Sequence, residues 1–105
     1  MKQINIRLEI ALIAAIELAA QAKNTTVTNW CNGVLWDSIE GLRTGRKQMF
    51  PVSKLPYGVK QGIKYSINLD ECLEDEIRME NAFEKITLTD FLRRELWLAA
   101  IDTIL

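Results

Sequence analysis

An internal repeat with an offset of 61 residues constrains this chain more than any other feature of its sequence. Residues 2–8 and residues 63–69 both alternate polar and apolar side chains, which is typical of a strand with one buried face. Each segment is followed by two stretches whose apolar residues recur at helical spacing. The identical pairs at this offset are Ile6 and Ile67, Leu8 and Leu69, Leu12 and Leu73, Ile16 and Ile77, Thr26 and Thr87, Thr28 and Thr89, Leu35 and Leu96, and Trp36 and Trp97. Because these pairs fall on predicted core positions and at the start of the second helix, we expect strand–helix–helix twice.

A single unit of this kind is too small to fold alone. Roughly 40 residues bury too little surface for stability, and a lone strand leaves an open edge. Two units in one chain of 105 residues solve both problems when their strands pair. Antiparallel pairing is favoured because it allows a pseudo-twofold axis between the units. We therefore predict a mostly α fold with a two-stranded antiparallel β-ribbon, in one integrated domain: unit 1 at 1–44, a basic linker at 45–62 and unit 2 at 63–105.

Local signals mark where the helices begin and end. A helix is expected over residues 9–23, and Asn24 follows it as a residue that tolerates the left-handed conformation of a helix C-terminus. Thr26 is the predicted N-cap of the second helix, and Gly41 and Gly45 mark its end. Thr87 repeats the cap in unit 2.

The residue inventory argues against an enzyme or a metalloprotein. The chain has no histidine, which is the commonest general base and the commonest metal ligand. Cys31 and Cys72 can form neither a disulfide framework nor a four-cysteine zinc site. Because a phosphate-binding glycine loop and a recognisable nucleophile–base pair are also missing, we expect no catalytic residues, no metal and no cofactor. Cys31 aligns with Leu92 and is expected to be a small buried apolar residue.

The charge is unevenly distributed although the net charge is −1. Residues 1–39 are neutral, residues 40–62 carry a net +4 and residues 63–105 carry a net −5. The apolar run at 11–16 is flanked by Glu9 and Glu17, which makes it a poor export signal, and no run reaches the ~18 apolar residues of a membrane span. We therefore expect a cytoplasmic protein with reduced thiols and no membrane association.

The segment Gln3-Ile4-Asn5-Ile6-Arg7, followed by two helices, resembles the strand of the Arc/MetJ-type ribbon-helix-helix DNA-binding family. The chain is similar to a single-chain, tandem version of that family, and the resemblance covers both units. It implies that a two-stranded ribbon enters the major groove of double-stranded DNA and contacts base edges. The base-contacting residues that it implies are Gln3, Asn5, Arg7, Lys64, Ser66 and Asn68.

These six residue types suit base contact. Asparagine and glutamine can pair with adenine, whereas arginine and lysine suit the two acceptors of guanine. The alternative is the ordinary solvated face of a surface strand. Such a face usually includes acidic residues, and none of the six is acidic in a chain with 14 of them.

The resemblance also implies phosphate contacts at the N-termini of the second helices, where backbone N–H groups and the helix dipole favour an anion. The residues concerned are Thr26, Val27, Thr28, Thr87, Leu88 and Thr89. Ordinary N-capping explains the threonines as well, and Asp90 departs from the pattern because a carboxylate repels phosphate. In the basic segment, Arg46 and Lys47, together with Arg43, Lys54 and Lys60, either contact flanking phosphates or belong to a solvated loop.

Two helical surfaces suggest further roles. The first helix is apolar nearly all round, and Ile10, Ile13, Ala14 and Ala15 have no evident place in a small core. We therefore predict a homodimer through this helix, which would bind adjacent sites cooperatively. In unit 2 the corresponding face is acidic, and a solvated outer surface is expected there.

The function expected from these observations is sequence-specific DNA binding by a transcriptional repressor of phage, viral or plasmid type. Because the two strands differ, the preferred site should be asymmetric. A relaxosome or partition accessory DNA-binding protein is a second interpretation. A third is a protein-interaction module on the same fold that inhibits a host protein, which the negative second unit and Asp90 favour. The residues also allow the two units to pair between chains.

Overall fold

Two strands and four helices make up the part of the chain that the computed structural model describes, residues 1–47, 50–52 and 62–104. The elements follow the order β1 (Lys2–Leu8), α1 (Ile10–Ala22), α2 (Val27–Thr44), β2 (Ile63–Leu69), α3 (Glu71–Glu84) and α4 (Leu88–Ile104). β1 and β2 form a two-stranded antiparallel sheet. The prediction of a mostly helical chain with such a sheet is confirmed, and both strands have the predicted bounds.

The core lies between the inner face of this sheet and the four helices. Ile4, Ile6 and Leu8 of β1 are buried, as are Ile67 and Leu69 of β2, while the residues between them are exposed. The helices contribute further fully buried side chains, including Leu12, Ile16, Leu35, Leu73, Ile77, Phe91, Leu92 and Leu96. Each such side chain contributes about 1.5–3 kcal/mol relative to exposure. Cys31 is also fully buried, as its alignment with a leucine predicts.

The register of the sheet matches the offset of the sequence repeat. Asn5 faces Ser66, and these two residues are 61 positions apart. Arg7 faces Lys64 on one side of this pair, and Gln3 faces Asn68 on the other. The centre of the ribbon is therefore a pair of positions that the repeat makes equivalent.

Helix ends follow the repeat as well. Asn24 has a φ of 52° and Lys85, 61 positions later, has a φ of 64°, so both adopt the left-handed conformation after the first helix of a unit. The Thr26 hydroxyl accepts a hydrogen bond from the Asn29 backbone N–H, as the predicted N-cap requires. Gly45, at φ 75°, ends α2 in the left-handed conformation. The prediction that Gly41 marks the end of α2 is wrong, since this residue lies within the helix.

Among the polar contacts between the two halves of the chain, two lie at the starts of α1 and α3. Glu9, just before α1, forms a buried ion pair with Arg93 of α4, at 3.0 Å between Oε1 and Nη2. Asp70, just before α3, donates its backbone N–H to Asn32 Oδ1 of α2 at 2.9 Å. Glu9 and Asp70 are 61 residues apart, and so are Asn32 and Arg93. The same two repeat positions therefore contact each other in both halves, through a carboxylate in one case and through a backbone N–H in the other.

The acidic face of α3 differs from the expected solvated surface. Glu74 is buried and lies 3.0 Å from Lys2 Nζ, and Arg78 also contacts it. The hydrogen bond from Lys2 lowers the pKa of the Glu74 carboxyl; burial opposes this effect, and Arg78 adds to it. Glu76 and Glu80 both form ion pairs with Arg43 of α2. The expectation of a purely solvated face is wrong because these carboxylates face basic groups of unit 1.

The apolar surface of α1 is smaller than the sequence predicts. Ile13 is buried, and Ala15 is half-buried against the core. Ile10, Ala14 and Leu18 are exposed along one side of the helix. Within the described ranges, no helix has the length and apolar character needed to cross a membrane.

Candidate nucleic-acid interface

The outer face of the ribbon carries all six predicted base-contacting side chains. Each of them is exposed, because the alternation of both strands turns every second residue away from the core. The register arranges the six as three cross-strand pairs: Gln3 with Asn68, Asn5 with Ser66, and Arg7 with Lys64. The structure thus brings the predicted set together on one surface with hydrogen-bonding groups and no carboxylate among its members.

Contacts within the ribbon position several of these side chains. Ser66 Oγ donates a hydrogen bond to Asn5 Oδ1 at 2.6 Å, across the centre of the ribbon. Arg7 Nη1 donates to the carbonyl oxygen of Gly62 at 3.1 Å. A Cβ atom at position 62 would approach the Arg7 carbonyl carbon and the Leu8 nitrogen to 3.1 Å, so glycine permits this close approach of the chains. An arginine has five N–H donors, so the Arg7 guanidinium can hold this carbonyl and still contact a ligand.

The N-terminus of α4 lies beside the Arg7 end of the ribbon. Thr87, Thr89 and Asp90 line a groove of 620 Å³ together with Asn5, Arg7 and Lys64 of the strands. The Thr87 hydroxyl accepts a hydrogen bond from the Asp90 N–H at 3.1 Å, so this threonine caps its helix. The Asp90 carboxylate lies 3.2 Å from Arg93 Nη1. This ion pair reduces, without removing, the negative charge that Asp90 places in the groove.

The N-terminus of α2 lies beside the opposite end. Asn32 Nδ2 donates hydrogen bonds of 2.8 Å to the carbonyl oxygens of Thr28 and Asn68. This amide therefore ties the first turns of α2 to the end of β2. Thr26, Val27 and Thr28 accordingly lie near the Gln3–Asn68 end, and Thr87, Leu88 and Thr89 near the Arg7–Lys64 end. The two helix N-termini flank the ribbon on opposite sides.

The basic segment lies elsewhere. Arg46 and Lys47 follow the end of α2, and their side chains fold back beside Asp37 and Ser38, about 17–18 Å along the helix axis from Thr26. Arg46 lies 3.2 Å from Asp37, and Lys47 lies 2.6 Å from the buried carboxylate of Glu95. The structure therefore does not bring these two residues to the ribbon. Lys54 and Lys60 lie outside the described residues.

Two positioning residues escape sequence reasoning. Asn32 and Arg93 sit one turn after the helix N-termini and link them to the sheet and to Glu9. They differ in residue type, so a search for identical pairs overlooks them. The signal that could have found them is the offset itself, because each contacts the residue that follows a strand, Glu9 or Asp70.

Among the residues that the structure describes, there is no group of three or more His, Cys, Asp or Glu residues that could hold a metal ion. Burial raises the pKa of the Cys31 thiol to about 12, so this group is a poor nucleophile. Cys72 is exposed on α3.

Comparisons of the chain with protein-family models, with curated proteins and with solved structures found no match. The likeness to ribbon-helix-helix proteins thus remains a resemblance of sequence pattern. What this surface does has to follow from its geometry and its charges.

Proposed function

We propose that this protein binds double-stranded DNA sequence-specifically, by inserting the β1–β2 ribbon into the major groove, and that it represses transcription. The observation that carries the proposal is the outer face of the ribbon. It presents six exposed hydrogen-bonding side chains without an acid, and a helix N-terminus flanks each of its ends.

The dimensions of the ribbon suit this role. Two strands lie about 4.8 Å apart, and the major groove is about 12 Å wide, so a two-stranded ribbon fits with its side chains directed at base edges. The free helix N-termini supply backbone N–H groups and a favourable dipole for phosphates on either side. Helix α2 is the stronger anchor in this proposal, because α4 carries Asp90 in its first turn.

We also propose that the chain is a tandem ribbon-helix-helix protein whose two units form an intramolecular pseudo-dimer. Pairs of positions that the repeat makes equivalent support it. One pair meets at the centre of the ribbon, one adopts the left-handed conformation, one caps the second helices, and two pairs form contacts between the units. These positions are Asn5 and Ser66, Asn24 and Lys85, Thr26 and Thr87, Glu9 and Asp70, and Asn32 and Arg93.

The test compares two variants that each lose one arginine. Arg7→Ala removes a cation from the ribbon, and Arg46→Ala removes one from the far end of α2. In a gel-shift assay with a selected duplex at fixed salt, we expect Arg7→Ala to lose about 1–3 kcal/mol of specific binding and Arg46→Ala to lose far less. Equal binding by Arg7→Ala and the unmodified protein would contradict the ribbon as the binding surface.

A protein-interaction module is the candidate function outside DNA binding, because apolar side chains are exposed away from the ribbon. Phe83 is 80% exposed and Met79 is 63% exposed on α3, and Leu18 occupies the position on α1 equivalent to Met79. Binding to random-sequence DNA separates the candidates: a DNA-binding ribbon predicts a steep fall in affinity with salt, whereas an interaction module predicts no measurable binding.

Self-association through α1 is a separate proposal. Ile10, Ala14 and Leu18 supply an exposed apolar strip, but Ile13 belongs to the core and is not available. Light scattering at tens of micromolar tests it, and a monomer at that concentration would contradict the predicted homodimer.

A further inference from the structure

The three cross-strand pairs of the ribbon are chemically different, and their order gives the ribbon a direction. Both cations, Arg7 and Lys64, face each other at one end. The two amides, Gln3 and Asn68, face each other at the other end. The centre holds the hydrogen-bonded pair described above, so charge increases from one end of the ribbon to the other.

This polarity depends on the two strands differing. In an antiparallel pair of identical strands, the first outward residue of one faces the last outward residue of the other, so each end would carry the same mixture. Here the last outward residue of β1 is the cation Arg7, and the first outward residue of β2 is the cation Lys64. The antiparallel register then places both cations together.

Neighbouring charges do not cancel the difference between the ends. Lys2 precedes Gln3 and its side chain is 60% exposed, but its charge is offset by Glu74, whose carboxylate lies 3.0 Å from the Lys2 ammonium. At the other end, Asp90 is the acid that lines the groove beside Arg7, and it lies 3.2 Å from Arg93. The ribbon therefore keeps one cationic and one neutral end.

We propose that the ribbon recognises a directional DNA site, with G·C pairs at the Arg7–Lys64 end and A·T pairs at the Gln3–Asn68 end. This rests on the proposed function. Arginine and lysine donate to guanine O6 and N7, whereas asparagine and glutamine can donate to N7 of adenine and accept from its N6 amino group. Four residues along a strand span about 13–14 Å, so the two halves of the site are centred at most about four base pairs apart, at ~3.4 Å per pair along the duplex axis. The N-terminus of α4 lies on the guanine side, and that of α2 lies on the adenine side.

Selection from a pool of random duplexes is the first test. The expected product is a site without palindromic symmetry, rich in G·C at one end and in A·T at the other. A palindromic site overturns the directional arrangement and leaves the proposed function standing. No enrichment of any sequence overturns the proposed function and this inference with it.

Matched double variants then assign each end. Arg7→Gln with Lys64→Gln should lose about tenfold or more of the discrimination for G·C pairs, and should keep the preference at the A·T end. Gln3→Ala with Asn68→Ala should give the reverse. Discrimination is measured as the ratio of affinities for matched and substituted duplexes at one salt concentration, so that lost charge alone cancels. Equal relaxation of both ends by either variant overturns the assignment.

Cys72 provides a measure of orientation. It is exposed at the start of α3, just beyond the Asn68 end of β2, whereas Cys31 is buried and should not react. An iron–EDTA reagent attached to Cys72 of the otherwise unmodified protein should cleave the selected duplex on its A·T side. Cleavage on both sides, or on the G·C side alone, overturns the proposed orientation.

Discussion

The buried ion pair between Glu9 and Arg93 should be among the most sensitive points of the fold. The Arg93 side chain is 3% exposed and that of Glu9 is 8% exposed, and they lie 3.0 Å apart. Arg93→Met keeps the apolar stem but leaves the Glu9 carboxylate buried without this counter-charge. Breaking such a pair from one side costs about 3–5 kcal/mol, which is a large fraction of the ~5–15 kcal/mol that a domain of this size possesses.

A second variant separates the charge effect from simple loss of contacts. Combining Arg93→Met with Glu9→Met removes both charges, and such replacement of a buried pair is often neutral or stabilising by about 1–4 kcal/mol. Helix α1 should tolerate the change, because the Glu9 side chain makes no capping hydrogen bond. The double variant is therefore expected to be more stable than the single variant.

Urea titration followed by tryptophan fluorescence measures both variants. With a slope of about 2 kcal/mol per molar urea, the single variant should lose roughly 2 M in its unfolding midpoint, and the double variant should regain most of it. Equal midpoints for the two variants would refute the reasoning, since the loss would then come from packing or from the Asp90 contact that both variants lack, and not from a stranded Glu9 carboxylate.

Three further changes test other parts of the structure. Glu74→Gln should lower stability at neutral pH, because folding depresses the pKa of the Glu74 carboxyl below its ordinary value of 4.5. The stability that this carboxylate contributes is present above pH 4.5 and is lost as pH falls through the lower pKa of the folded state. The urea midpoints of the variant and the unmodified protein should therefore converge in acid. Lys85 has a φ of 64°, which strains a residue with a side chain. Lys85→Gly should therefore raise the free energy of unfolding by about 1 kcal/mol, measured as a thermal midpoint roughly 4–8 °C higher. An unchanged midpoint would contradict a strained backbone. Asp90→Asn places in unit 2 the residue that unit 1 has at Asn29. It should tighten DNA binding about twofold, because it removes one negative charge ~8 Å from a phosphate in water. Unchanged affinity in the gel-shift assay would place the phosphate elsewhere.

The strands and helix ends could be predicted from the sequence because their causes are local. Alternation along a strand decides which side chains face the core, so the outer face of the ribbon is predictable before its partner strand is known. A threonine cap and the left-handed Asn24 likewise depend on neighbouring backbone groups. For the same reason all six outward residues were found on the predicted surface.

The partners of the basic segment could not be predicted in this way. Lys47 pairs with Glu95, and Arg43 pairs with Glu76 and Glu80, at separations that only the folded chain brings together. A local excess of positive charge therefore indicated a solvent-facing or phosphate-facing segment where the structure has ion pairs. The direction of the ribbon was hidden for a related reason. The direction depends on which residues of β1 and β2 face each other. Alternation shows which side chains point outward, but it does not show which pair of residues lies at the centre of the ribbon.

The same differences between the units bear on which units pair. In the proposed pseudo-dimer, Lys2 and Arg43 of unit 1 face Glu74, Glu76 and Glu80 of unit 2. The positions of unit 1 equivalent to these three acids are apolar, namely Ile13, Ala15 and Ala19. Two copies of unit 1 would therefore place both cations against apolar side chains, and two copies of unit 2 would leave the acids without these partners. Glu74 is only 3% exposed, so losing Lys2 would be costly there, whereas Arg43 is 40% exposed and its pairs contribute less. The sequence therefore favours pairing of unlike units, and unlike strands are what give the ribbon its direction.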